Sequence, residues 1–110
     1  MHYLVIAYDG TDDGALDRRL RAREAHLRLG DEMAAAGRHL FGTAILDNDG
    51  RMVGSMLVVD FASRDELDGW LAKEPYVVGG VWREIEIKPC RVGPSFVRAA
   101  RDTADETASA

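Results

Sequence analysis

Four short runs of this chain are dense in apolar or β-forming residues. Two longer stretches between them carry apolar side chains three and four positions apart. That rhythm predicts strands and helices in turn. His2–Tyr8 has a β-former at nearly every position and predicts a first strand. Asp9-Gly10-Thr11-Asp12-Asp13-Gly14 is turn chemistry. A long helix is expected over 15–36, with Leu16, Leu20, Leu27 and Ala34 on one stripe and Leu29 and Met33 widening it. Gly37 is placed to stop it. A second strand is expected over 38–46, a hairpin turn at Asp47-Asn48-Asp49-Gly50, and a third strand over 51–61. Ser63 with Glu66 three residues on forms a capping box. The helix it opens buries Leu67, Trp70 and Leu71 and ends at Lys73 or Glu74, because Pro75 restricts the residue before it. A fourth strand over 81–88 alternates, with Ile85 and Ile87 on one face and Trp82, Glu84, Glu86 and Lys88 on the other; Pro89 is expected to end it, with a short extension through Val92 as the alternative.

The order β-α-β-β-α-β, with short connections and right-handed crossovers, predicts an α+β ferredoxin-like domain: one antiparallel sheet with both helices on one side. Residues 1–97 form this domain. From Arg98 onward the chain is Ala, Thr, Asp and Glu with no large apolar residue, so 98–110 is expected to be a disordered tail. In the first strand Tyr3, Val5 and Ala7 face one way and Leu4, Ile6 and Tyr8 the other. In the third, Val53, Leu57 and Val59 oppose Met52, Met56 and Val58. Both faces of the central strands are therefore apolar, and two helices cover only one. The helix-free face would expose several hundred Å2 of apolar surface, about the size that marks an interaction site. Burying it against an identical sheet is worth about 5–10 kcal/mol before association entropy is subtracted. A homodimer through that face is the expectation.

At 110 residues the chain holds one domain. A formal net charge of −5 argues against a broad nucleic-acid footprint. The one dense basic stretch, Arg18 to Arg28, is flanked by Asp17 and interrupted by Glu24; it reads as a solvated helix face, with a small anionic ligand near Arg23 as the alternative. Cys90 is the single cysteine, so no intramolecular disulfide forms, which fits a reducing compartment, and a buried inert thiol is expected there. The first residues have no signal-peptide pattern, and no apolar run is long enough to span a membrane, so a cytoplasmic location is expected. The histidines are isolated, and neither a phosphate loop nor a dinucleotide fingerprint occurs, so neither a metal nor an organic cofactor is expected.

His2 and His39 lie on strands and read as structural residues. His26 sits mid-helix, one step off the apolar stripe, and an imidazole titrates where proton transfer is useful. Its candidate partner is Glu74, a carboxylate held at a defined corner by Pro75. A plain structural ion pair is the alternative to an acid–base pair. Arg23, three residues before His26, could hold a substrate carboxylate or pair with Glu74 instead. Ser55 could bond a ligand or allow close strand packing, and Tyr76 could donate to a substrate or brace the corner.

Arg23-Glu24-Ala25-His26-Leu27, then Ala36-Gly37, Gly54-Ser55 and Glu74-Pro75-Tyr76 together resemble the YCII-related family over about residues 1–96. The resemblance implies a dimeric α/β barrel in which two ferredoxin-like subunits pack sheet to sheet. It also implies a histidine–carboxylate dyad at His26 and Glu74, and chemistry like that of dehydrochlorinases or muconolactone isomerases. Glu74 departs from the Asp-Pro-Tyr motif of that family, and Phe41-Gly42-Thr43-Ala44 keeps one glycine where a double-glycine step is usual. The expectation is a cofactor-independent isomerase or lyase acting on a small molecule through His26 and Glu74, with Arg23, Ser55 and Tyr76 shaping the pocket. The alternative is a non-catalytic dimer that binds a small molecule or serves as an interaction module.

Overall fold

The computed structural model describes residues 1–96; the expected tail, 98–110, lies outside the described residues. The elements run β1 (His2–Asp9), α1 (Ala15–Ala35), β2 (His39–Leu46), β3 (Met52–Asp60), α2 (Arg64–Leu71), α3 (Pro75–Val78) and β4 (Trp82–Cys90). The sheet order is β2-β3-β1-β4, antiparallel throughout. This is the ferredoxin-like arrangement, with β3 and β1 at the centre.

Local chemistry explains the joints. Gly37, at φ 75°, closes α1, and the Arg38 N–H returns to the Met33 carbonyl at 2.8 Å. The Asp47 carboxylate accepts from the N–H groups of Asp49 and Arg51 and knots the β2–β3 hairpin. The Ser63 hydroxyl accepts from the Glu66 N–H to cap α2. Gly54 is obligatory in β3, since a Cβ there would stand 2.6 Å from the Ala7 carbonyl oxygen.

Several expectations are corrected. The core-facing stripe of α1 is Arg19, Ala22, His26, Leu29 and Met33, spaced three and four apart. The predicted leucine stripe is rotated by about one residue, roughly 100°, and Leu20 is 50% exposed. That stripe borders two grooves instead of the core, with Leu27 and Ala34 in one and Leu16 in the other. Consequently the basic stretch is not a purely solvated face, because Arg19 is 3% exposed.

Second, Trp82 does not share a face with Glu84 and Glu86. The β1–β4 register shifts so that Tyr8 faces Glu84 while Asp9 faces Trp82, which leaves Arg83 as an extra residue. This bulge turns the Trp82 side chain into the core. Third, Pro89 does not end β4. It pairs with Tyr3, and the strand continues to Cys90. β4 is an edge strand, where a missing N–H can face away from the sheet.

The core joins Tyr3, Val5, Ala7, Leu57 and Val59 of the sheet to Leu67, Trp70, Tyr76, Val81 and Trp82. On the other side of the sheet, Leu4 lies opposite Val58, Ile6 opposite Met56, and Phe41 beside Val58. Leu4, Ile6, Met56 and Val58 are half-buried, while Phe41 is 62% exposed. Met52 departs from the expected alternation. A register shift beside Leu46 brings it to the wall of the cavity on the helix side, with Ser55 and Leu57. Among the described residues, no helix is long and apolar enough to cross a membrane.

Candidate active site

Between α1 and the β2–β3 half of the sheet lies a cavity of about 360 Å3. His26, Arg23, Ser55 and Tyr76 all line it. Glu74 stands behind His26 with its side chain 0% exposed. The two meet: Nδ1 of His26 lies 2.5 Å from Oε1 of Glu74.

The placement of Glu74 follows from the short helix α3, which the sequence pattern showed only as a corner. Pro75 occupies its first turn, where a missing N–H is harmless. Glu74 is its N-cap, and Oε1 accepts the Tyr76 N–H at 3.1 Å. One carboxylate oxygen therefore holds both the helix end and the imidazole. The other, Oε2, is buried without a hydrogen-bond partner among the described residues.

Glu74 accepts from Nδ1–H, which leaves Nε2 as the basic nitrogen of a histidine that lines the cavity. The imidazole stacks on the Tyr76 ring at 3.8 Å between centroids, 11° from parallel, and meets Trp82 edge-on at 5.9 Å. Tyr76 thus braces the histidine. Burial raises its phenol above the ordinary value, so the hydroxyl keeps its proton at neutral pH. Arg23 lines the cavity without pairing with Glu74, whose Oε1 is already shared between His26 and the Tyr76 N–H.

A second buried set adjoins the first and was not anticipated. Arg19 donates from Nη1 to both oxygens of Asp9, at 3.0 and 3.1 Å, and from Nη2 to the Ser55 hydroxyl at 3.0 Å. The Trp82 indole N–H donates to the same hydroxyl at 3.2 Å. The Arg19 guanidinium lies 4.8 Å from the Tyr76 ring centre. Asp9 carried a usable signal: it continues the inward register of Tyr3, Val5 and Ala7. The turn chemistry that follows Asp9 masks that signal. The leucine pattern of α1 masks Arg19, and the bulge masks Trp82.

His39, read as structural, also borders the cavity, and its ring meets Trp70 edge-on at 4.7 Å. Burial pushes its pKa down to about 4, against an opposing pull from Glu74 and with a smaller push from His26. It is neutral at pH 7. Gly42 lies in the same wall, together with apolar surface from Leu27, Met52 and Leu57. Among the described residues no group of three or more His, Cys, Asp or Glu is placed to hold a metal ion.

Comparison with known proteins agrees with this fold. The YCII-related domain matches residues 1–91. Protein YciI of Escherichia coli O6:H1 is 32% identical over 95 residues, covering 81% of this chain and 95% of that protein. An uncharacterized protein of Haemophilus influenzae is 30% identical over the same shares. Among solved structures, 5-chloro-2-hydroxyhydroquinone dehydrochlorinase (TftG) from Burkholderia phenoliruptrix AC1100, in complex with 2,5-dihydroxybenzoquinone, superimposes with a TM-score of 0.73. It is 23% identical, and the match covers 86% of this chain and 98% of that one. An antibiotic biosynthesis monooxygenase shares the fold at a TM-score of 0.51 and 16% identity, over 84% and 99% of the two chains. The match along residues 1–91 and the identity to the YciI protein place the assignment beyond fold likeness: this chain belongs to the YCII-related family.

Proposed function

We propose that this protein is a cofactor-independent acid–base enzyme that isomerises a small molecule or eliminates a group from it. His26 takes and returns the proton through Nε2. Glu74 fixes the tautomer and stabilises the imidazolium that forms. Arg23, Ser55 and Tyr76 shape the pocket. The observation that carries this reading is the 2.5 Å contact between His26 and a fully buried carboxylate, on the wall of a cavity of about 360 Å3. An ion pair serving stability alone gives no reason for the histidine to border a cavity of ligand size. The fold shared with a protein named as a dehydrochlorinase makes elimination the first reaction to test.

The working form is a homodimer. Leu4, Ile6, Phe41, Met56 and Val58 form an apolar surface on the helix-free face, and a second copy supplies a matching one. A cytoplasmic location accords with the single cysteine, Cys90.

The test is proton exchange. The full chain is incubated in D2O with 2,5-dihydroxybenzoquinone, and loss of the ring C–H signal is followed by NMR. The expected result is exchange faster than buffer, slowed at least about a hundredfold in His26→Gln. Equal exchange in the wild type and His26→Gln would overturn the enzyme reading. Saturable binding without exchange would leave the dimeric binding module in its place.

A further inference from the structure

A serine hydroxyl has one proton to give and two lone pairs with which to accept. At Ser55 both lone pairs are engaged. Arg19 Nη2 donates at 3.0 Å and Trp82 Nε1 at 3.2 Å, and neither nitrogen can accept in return. Both donors are held in place. Arg19 is fastened by two bonds to buried Asp9, and Trp82 is packed in the core by the Arg83 bulge. No oxygen among the described residues accepts a bond from the Ser55 hydroxyl. Its proton is therefore without a protein acceptor, on a residue that lines the cavity beside His26.

We infer that Ser55 is an oriented, donor-only group whose partner is the oxygen of the substrate, and that the substrate class is an enolisable carbonyl compound. This rests on the acid–base reading of His26 and adds to it the group that receives the negative charge. His26 Nε2 removes a proton from the carbon next to the carbonyl. The C–H electron pair becomes the C=C bond of the enolate, and the carbonyl π pair moves onto oxygen. Ser55 donates a hydrogen bond to that oxygen without transferring its proton. When the enolate is conjugated with a second C=C, returning the proton from His26 to the far carbon gives isomerisation; loss of an anion from the β carbon gives elimination, and His26 then releases its proton to solvent. No redox step is involved. Arg19 guanidinium polarises the serine O–H toward the cavity, so the hydrogen bond strengthens as the oxygen gains charge.

Arg19, Asp9 and Trp82 are positioning residues in this scheme. A ligand that offers only a donor at this point, or no polar atom, leaves the serine proton unpaired. The site is therefore selective for an acceptor.

The test uses two probes of one shape: acetophenone, which carries C=O, and α-methylstyrene, which carries C=CH2 in its place. Their binding to the full chain is followed through the backbone amide NMR signals of the cavity wall, which every variant retains. The wild type binds the ketone about five- to tenfold more tightly than the alkene, the range one net hydrogen bond supplies. In Ser55→Ala that preference vanishes, while alkene affinity is unchanged. Trp82→Phe frees one lone pair, lets the serine proton turn away, and narrows the ketone-to-alkene ratio, a readout that loss of stability alone does not move. His26→Gln keeps the ketone preference and loses proton exchange, which separates this inference from the acid–base reading. Equal binding of the two probes, an undiminished preference in Ser55→Ala, or no saturable ketone binding would overturn it.

Discussion

Oε1 of Glu74 accepts two bonds, one from His26 Nδ1 at 2.5 Å and one from the Tyr76 backbone N–H at 3.1 Å. The carboxylate is thereby fixed from two directions, one on α1 and one on its own helix end. This arrangement gives the glutamate a defined reach, and its length matters. In Glu74→Asp the carboxylate retreats by one methylene, about 1.5 Å, and cannot hold both donors. Proton exchange should fall at least tenfold, since near-attack geometry tolerates little displacement. Glu74→Gln keeps the shape but replaces an anion with a neutral amide. Its rate should fall about 10²–10⁴-fold, with KM changed less than kcat. The same exchange assay decides both.

Breaking the buried Arg19–Asp9 pair should be costly. Arg19→Met leaves Asp9 charged and unpartnered in the core, which destabilises by about 3–5 kcal/mol. The double variant Arg19→Met with Asp9→Asn should recover part of that loss, because no lone charge remains. Urea unfolding of the two single variants and the double variant gives the coupling; strict additivity would refute the idea that the two charges act as one unit.

Acid should loosen the wall that carries His39. Burial is the main cause of its pKa falling to about 4, so the folded protein binds fewer protons here than the unfolded chain between about pH 4 and the ordinary histidine value of 6.5. The stability from keeping this ring neutral is complete above that window and is lost as pH falls through it. The Tm of the wild type should drop between pH 7 and pH 5, and His39→Gln should flatten that drop. An equal drop in the variant would assign the acid sensitivity to other groups.

The sheet face without helices should govern assembly. Light scattering of the wild type is expected to give twice the mass of one 12.1 kDa chain. A charge set on that face, as in Ile6→Lys, should give the single-chain mass while far-ultraviolet circular dichroism stays unchanged. A dimer that survives Ile6→Lys and Val58→Lys together would place the interface elsewhere.

The element order, the capped α2 and the glycine stop of α1 were all legible, because each depends on short-range chemistry at a known spacing. The meeting of His26 with Glu74 was legible as a candidate, since a proline-fixed corner and a helix histidine lie on the same side of the sheet. The Asp9–Arg19–Ser55–Trp82 set was not. Arg19 lies among four other arginines, with Asp17 and Glu24 beside them, in a stretch that periodicity alone assigns to solvent. Leucine weighting pulled the helix phase away from the stripe that actually meets the sheet. That stripe carries a buried arginine and a histidine, so its hydrophobicity understates its burial. α3 was invisible for a simpler reason. Four residues are too few for a periodic signal, and its only marks are the proline at its start and the acid before it.

The Arg83 bulge carries a constraint on how this chain can vary in length. Every inward position of β4 beyond it keeps step with β1, and Trp82 alone depends on the extra residue for its direction. Removing one residue at this point would restore uninterrupted alternation and swing the indole out to solvent. The serine would then lose one of its two fixed donors with no change to any residue of the dyad itself. Relatives that differ by a single insertion or deletion here would thus differ in what their pockets accept, even where His26 and Glu74 have direct counterparts.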